Sequence, residues 1–68
     1  MKVFSERLKE LRIERNLNQS ELARKTGLSQ SSIARWEAED RDPTIQGLIV
    51  LAKFFGVSID FLVGIEEY

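Results

Sequence analysis

The chain has 68 residues, enough for one small domain, and its 43% hydrophobic content can form one compact core. It contains no Cys and no His, which excludes disulfides and the usual zinc sites. Without these residues or a Gly-rich phosphate loop there is no catalytic constellation, so we expect neither an enzyme nor a cofactor. The sequence lacks a membrane-spanning apolar run and a signal-peptide pattern, so we expect a cytoplasmic protein with no membrane partner.

The net charge of −1 conceals an uneven distribution along the chain. Residues 1–35 carry eight Lys or Arg and four Glu, a net charge of +4. Residues 36–68 carry two basic and seven acidic residues, a net charge of −5. A basic half joined to an acidic half predicts a polyanionic partner on one face. The alternative is that these charges belong to ordinary solvated helix surfaces.

Apolar spacing and capping residues predict five short helices and no strands, which makes the fold all-α. Apolar residues recur at helical spacing from Phe4 to Leu11 and predict an amphipathic first helix. Asn18 and Glu21 match a capping box at the start of the second helix, and Gly27 marks its end. The predicted helices of the single domain 1–68 cover residues 4–15, 19–26, 30–37, 45–55 and 59–63.

The third and fourth predicted helices differ in how much apolar surface they offer. Ser29 is suited to cap the third helix, in which only Ile33 and Trp36 are large and apolar. Thr44 is suited to cap the fourth helix, which is far more apolar. The core face expected for the fourth helix consists of Ile45, Leu48, Leu51, Ala52 and Phe55.

The second and third helices together have the pattern of a helix-turn-helix, since a short turn containing Gly27 joins them. Ala23 stands where the two helices must approach closely, so a small side chain is required there. We expect Leu28 and Ile33 to point into the core and to fix how the two helices cross.

Several segments of the chain resemble the Cro/cI-type (Xre-type) helix-turn-helix regulators, which include phage repressors. The matching segments are LNQSELA, TGLSQSSIARWE, DP followed by an apolar helix, and LAKFFGVSIDFL. The resemblance implies a lambda-repressor-like domain of five helices that binds double-stranded operator DNA, usually as a homodimer. It implies a transcriptional regulator, and we expect a repressor that inserts its third helix into the major groove of a roughly palindromic site.

The third helix carries the residues expected to contact bases. Gln30 and Ser31 lead this helix, and Arg35 lies about one turn onward on a similar face. Gln can pair with adenine and Arg with guanine through two hydrogen bonds each. The alternative is a merely solvated surface helix, but residues 28–34 contain no Glu or Lys, which are the usual solvating residues.

A second group of residues is expected to contact the DNA backbone. Asn18 and Gln19 open the second helix, whose N–H groups and dipole favour an anion. The resemblance implies that both contact a phosphate and that Gln19 also braces Gln30. The alternatives are that Asn18 only caps the helix and that Gln19 is an idle exposed amide. The residues expected to contact phosphate or to position the protein are Arg12, Asn18, Gln19, Ser29, Ser32 and Arg41.

The resemblance also implies an ion pair between Arg12 and Glu37, with Arg12 facing the DNA backbone as well. We expect this pair to be buried and to tie the third helix to the first. Removing one partner of a buried pair costs about 3–5 kcal/mol, whereas an exposed pair contributes less than about 1 kcal/mol.

The loop after the third helix departs from the family pattern. Glu39 stands where the family commonly has Gly, and Asp40, Arg41 and Asp42 follow it. The three acids would repel DNA, so Arg41 is the only phosphate contact expected from this loop. Alternatively, the acidic loop or the acidic second half of the chain binds another protein, as in an antitoxin or anti-repressor built on the same fold.

Three further residues predict a homodimer interface. Val50 and Phe54 fall away from the expected core face of the fourth helix, and Phe61 occupies a position that is often polar in the family. Uncovered aromatic residues are costly in so small a protein, so we expect a second copy to cover them. The alternative is scattered surface apolarity, which is normal.

Overall fold

The structure, a computed structural model, describes residues 1–65. Its helices are α1 (Lys2–Glu14), α2 (Gln19–Thr26), α3 (Gln30–Glu37), α4 (Ile45–Phe55) and α5 (Ile59–Val63). No strand occurs among these residues, and the prediction of an all-α fold is confirmed. None of the helices in the described part of the chain is both long and apolar enough to cross a membrane.

The first helix begins two residues before the predicted position. Ser5 donates both its backbone N–H and its hydroxyl to the carbonyl of Met1, which draws the preceding residues into the first turn. At the other end, Arg15 is the C-cap residue of α1, and Asn16, which follows it, adopts a left-handed conformation with φ of 58°. Asn tolerates this conformation better than most residues, so α1 ends there without a glycine.

Side-chain caps fix where the later helices start. Each cap accepts a hydrogen bond from the backbone N–H three residues further on, which satisfies one of the unpaired donors of the first turn. The residues that do this are Asn18, Ser29, Thr44 and Ser58. Asn18 and Glu21 form the complete capping box, and α2 ends at Gly27 with φ of 78°. That positive φ favours glycine, as expected where the chain turns towards α3.

All five helices contribute to one hydrophobic core. Its fully buried large side chains are Phe4, Leu8, Leu22, Ile33, Leu51 and Leu62. Trp36 lies at the end of α3 and meets Phe4 edge to face, with ring centroids 6.0 Å apart. The single hydroxyl hydrogen of Ser5 is shared between the carbonyls of Met1 and Trp36, which ties α1 to the same end of α3. The core therefore fixes α3 from its inner side only.

The inclusion of Ile45 in the core face of α4 is wrong, since its side chain is 73% exposed. The helix approaches α3 through Gly47 instead, where an added Cβ would lie 2.5 Å from Cη2 of Trp36. Ile45 is two residues from Gly47, or about 200° around the helix axis, so it faces away from that contact. The exposed Ile49 lies one turn beyond Ile45 on a similar face.

Candidate nucleic-acid interface

The outward face of α3 carries the three residues expected to contact bases. Gln30, Ser31 and Arg35 are exposed, and within residues 1–65 their side chains make no hydrogen bond or ion pair. The buried Ile33 and Trp36 occupy the other side of the helix. This face is therefore not packed against its own subunit, and its donors and acceptors are available to a ligand.

The two serines at the start of α3 bind one another. Oγ of Ser29 accepts the backbone N–H of Ser32 at 3.0 Å and donates to Oγ of Ser32 at 2.9 Å. The hydroxyl hydrogen of Ser29 is thereby used, whereas Ser32 keeps its own hydroxyl hydrogen. Of these two expected phosphate contacts, only Ser32 retains a free hydroxyl donor in this arrangement.

The N-terminus of α2 offers unpaired backbone donors. The capping box uses Oδ1 of Asn18 and Oε1 of Glu21, at 2.7 and 2.8 Å from the backbone nitrogens that they accept from. The backbone N–H groups of Gln19 and Ser20 have no partner in the described part of the chain. Together with the helix dipole, these two donors favour an anion.

A three-residue network joins α1, α2 and α3. Arg12 donates from Nε and Nη2 to Oε2 and Oε1 of Glu37 at 2.7 and 2.8 Å, and from Nη1 to the carbonyl of Leu17 at 2.8 Å. The side chains of Arg12 and Glu37 are 12% and 5% exposed. Hydrogen bonding to Glu37 and the charge of that carboxylate raise the pKa of Arg12 above its ordinary value, against the opposing effect of burial. The structure thus brings together the two residues that the resemblance paired.

Gln19 belongs to this network and does not brace Gln30. Its Nε2 donates to Oε1 of Glu37 at 3.2 Å, and no hydrogen bond joins it to Gln30 within residues 1–65. The sequence did not indicate that the amide of Gln19 binds the carboxylate of Glu37, at the far end of α3 from Gln30. Arg12 in turn uses three of its five N–H groups inside the protein, which leaves two for a phosphate.

The loop after α3 requires a left-handed residue, and Glu39 supplies it with φ of 60°. The backbone N–H of Asp40 donates to the carbonyl of Arg35 at 2.9 Å and closes the turn. This positive φ favours glycine, the residue that the resemblance led us to expect at this position. Arg41 is exposed, and its guanidinium has no partner in the part of the chain that the structure describes, so it can reach a phosphate.

The aromatic residues expected in a dimer interface are partly covered by Arg7 of α1 and by Arg15, which follows that helix. Arg7 lies 4.3 Å from the ring centroid of Phe61 and donates to its carbonyl. Arg15 lies 5.3 Å from the ring of Phe54, which also packs against the core. Each of the two rings is therefore half-buried, as Val50 is, and the dimer interface remains a prediction. Sequence spacing gave no signal for either arginine contact.

These contacts also reduce the charge that the basic half of the chain offers to a polyanion. Three of its eight cationic side chains, those of Arg7, Arg12 and Arg15, bind groups of their own subunit. Arg35 of α3 and Arg41 of the loop that follows it remain exposed. A polyanion bound here would be held by oriented hydrogen bonds as much as by net charge.

Several relatives match nearly the whole chain. The HTH-type transcriptional regulator YobD of Bacillus subtilis is 34% identical over 65 residues, which are 96% of this chain and 58% of YobD. The HTH-type transcriptional activator BcrR of Enterococcus faecalis is 39% identical over 64 residues, 94% of this chain and 31% of BcrR. The cryptic phage CTXphi transcriptional repressor RstR of Vibrio cholerae is 37% identical over 65 residues, 96% of this chain and 59% of RstR. The chain thus spans between 31% and 59% of the length of these relatives.

A family profile described as helix-turn-helix matches residues 8–62, from the middle of α1 into α5. Members of this family are DNA-binding transcriptional regulators and not enzymes. The matched region includes α2, the turn at Gly27 and α3, which carry the outward face described above. The chain therefore belongs to the helix-turn-helix family, of the Cro/cI type that its sequence resembles.

Proposed function

We propose that this protein is a sequence-specific transcriptional repressor that inserts α3 into the major groove of a roughly palindromic operator as a homodimer. The observation that carries this proposal is the outward face of α3, on which Gln30, Ser31 and Arg35 are exposed and unpaired within residues 1–65. An eight-residue helix that buries only one side and leaves hydrogen-bonding groups on the other is suited to a groove of about 12 Å width.

The chemistry of the exposed side chains supports base recognition. The amide of Gln30 can give and accept one hydrogen bond with adenine, and the guanidinium of Arg35 can donate two to guanine. Each such pair contributes about 1–3 kcal/mol of discrimination against the wrong base. An apolar contact can add to this recognition. Ala34 is half-buried, lies between Gln30 and Arg35 on the helix surface, and can contact a thymine methyl group.

Phosphate contacts would position this helix in the groove. The unpaired backbone N–H groups of Gln19 and Ser20 meet one phosphate, and Ser32 and Arg41 extend the contact along the backbone. The acidic residues Glu39 and Asp40 follow α3 directly and oppose long-range attraction. We therefore expect modest affinity and a salt dependence shallower than that of strongly basic regulators.

A second copy of the chain would place two α3 helices about 34 Å apart, which is one turn of DNA. We assign this interface to the surface of α4 and α5 that contains Val50, Phe54 and Phe61. Because Arg15 and Arg7 cover part of the two rings, these cations form the rim of the interface. Sedimentation equilibrium of the wild type and of Val50→Asp tests this assignment, since a monomer in both would remove it.

Selection of bound duplexes from a random pool at fixed salt tests the proposal as a whole. We expect a two-fold consensus from the wild type, and a changed consensus from Gln30→Ala and from Arg35→Ala. Arg24→Ala is the matched control, since it removes one exposed positive charge from α2 and should weaken binding without changing the consensus. An unchanged consensus in both α3 variants would contradict the assignment of base contacts.

Repression and activation need a separate experiment, because the relatives RstR and BcrR are named as a repressor and an activator. A reporter gene placed behind the selected site should lose expression when the protein is produced. If no duplex is selected and the chain instead co-purifies with a second protein through its exposed acidic loop, the antitoxin-like alternative replaces this proposal.

A further inference from the structure

Glu37 is the last residue of α3, yet its side chain points into the protein and is only 5% exposed. Its carboxylate accepts three hydrogen bonds, two from Arg12 of α1 and one from Gln19 of α2. Both donors belong to residues expected to contact phosphate. One buried carboxylate therefore controls two groups at the edge of the DNA surface.

We propose that Glu37 sets the specificity of DNA binding without contacting DNA, by cancelling the charge of Arg12 and fixing the amide of Gln19. This inference rests on the proposed function. Glu37 acts as a positioning residue, since its effect on DNA passes through its two partners.

The first step of the argument concerns charge. Non-specific binding depends on how many phosphates are neutralised by cations. The pair of Arg12 and Glu37 is neutral as a unit, although Arg12 still has two N–H groups available to donate. Arg12 therefore contributes oriented hydrogen bonds to a correctly placed phosphate and little attraction to DNA of any sequence.

The second step concerns the orientation of Gln19. A carboxylate only accepts hydrogen bonds, so Gln19 must present Nε2 to Glu37, as the 3.2 Å contact shows. Its carbonyl Oε1 then lies on the other side of the amide, and Nε2 is the only atom of this side chain that can donate to a phosphate. The phosphate at the start of α2 is met by the second hydrogen on Nε2 and by the backbone N–H, which allows one register of the helix.

The test compares Glu37→Gln with Glu39→Gln on the selected duplex and on an unrelated duplex, over a range of salt. In Glu37→Gln we expect stronger binding to the unrelated duplex, a slope against log salt steeper by about 0.9, and a ratio of specific to non-specific affinity lower by about tenfold or more. Glu39→Gln removes the same charge from an exposed residue two positions away. It should strengthen binding to both duplexes alike and leave their ratio unchanged.

A second variant keeps the test decisive if Glu37→Gln does not fold. Gln19→Leu retains the ion pair of Arg12 and Glu37 and removes only the amide. We expect a lower affinity ratio, an unchanged salt slope for the unrelated duplex, and a melting temperature close to that of the wild type. A spectroscopic check is the side-chain amide resonance of Gln19, which should move in Glu37→Gln and stay in place in Glu39→Gln.

The outcomes separate this inference from the proposed function. A wild-type protein that binds no duplex selectively contradicts the proposed function. A selective wild type whose affinity ratio survives both Glu37→Gln and Gln19→Leu contradicts only the inference. If Glu37→Gln is unfolded, an unchanged ratio in Gln19→Leu is sufficient to overturn it.

Discussion

Arg12 and Glu37 are 25 positions apart in the sequence and share two hydrogen bonds of 2.7 and 2.8 Å, which join α1 to the last residue of α3. Both side chains are largely shielded from water, at 12% and 5% exposure. Because a buried charge is stable only with its partner, this pair holds α3 against α1.

Arg12→Ala should destabilise the protein by about 3–5 kcal/mol, because it leaves the carboxylate of Glu37 buried with only Gln19 as a donor. The measurement is the free energy of unfolding from urea denaturation. Because its pKa is raised above an already high ordinary value, the Arg12 guanidinium is protonated in both the folded and the unfolded chain near neutral pH, so this loss should not change between pH 6 and 9.

The matched control for this prediction replaces both partners at once. The double variant Arg12→Met and Glu37→Leu removes both charges and keeps apolar volume, so it should lie closer to the wild type than Arg12→Ala does. A cost below about 1 kcal/mol for Arg12→Ala would mean that the pair behaves as an exposed one, contrary to its burial.

Glu39→Gly should stabilise the protein by about 1 kcal/mol. Glu39 has φ of 60°, a conformation that costs an ordinary residue about 1–2 kcal/mol, and glycine recovers this while losing part of it to unfolded-state entropy. A negative charge just beyond the C-terminus of α3 is also unfavourable with the helix dipole. Thermal and urea unfolding measure the change.

Two variants separate the contributions at this position. Glu39→Gln removes the charge and keeps the strained backbone, so its gain should be only a few tenths of a kcal/mol. Asn16→Gly occupies the other left-handed position, with φ of 58°, and should gain less than Glu39→Gly because Asn tolerates this conformation. Equal gains from Glu39→Gln and Glu39→Gly would show that charge alone accounts for the effect.

Arg15→Ala should lower the free energy of unfolding by about 1 kcal/mol. The guanidinium lies 5.3 Å from the rings of Phe54 and Phe55 and donates to their carbonyls at 3.4 and 3.3 Å, so it completes the C-terminus of α4. Arg15→Lys keeps the charge but loses the planar contact with the rings, and it should retain about half of this contribution. A loss equal in both variants would contradict the role of the planar group.

The ends of α2 could be predicted from the sequence, whereas the orientation of α4 could not. Local signals suffice where a cap and a glycine mark both ends of a helix, as Asn18 and Gly27 do for α2. The rotation of α4 about its axis is not a local property. It depends on the contact of Gly47 with Trp36 across the fold, so spacing along the sequence places Ile45 in the core whereas the structure exposes it.

The candidate site likewise has one part that the sequence predicts and another part that it does not. The free face of α3 follows from the position of its two apolar residues, which fall on one side of an eight-residue helix. The partner that a long polar side chain selects depends on every charge within its reach. Gln19 therefore binds Glu37, and Arg15 covers Phe54 from 39 positions away, and neither contact has a signature in local spacing.

Gly47→Ala should destabilise the protein by about 1–3 kcal/mol, although alanine is normally the better helix former. Its Cβ would lie 2.5 Å from Cη2 and 3.0 Å from Cζ2 of Trp36, a rigid buried side chain that must move and shift the end of α3. Unfolding monitored by the fluorescence of this single tryptophan measures both the cost and the displacement. In a Trp36→Phe background the clashing Cη2 and Cζ2 atoms are absent, so the same substitution, followed by far-UV circular dichroism because no tryptophan remains, should become neutral or stabilising. An equal cost in both backgrounds would contradict the clash as its cause and point to the backbone of α4 itself.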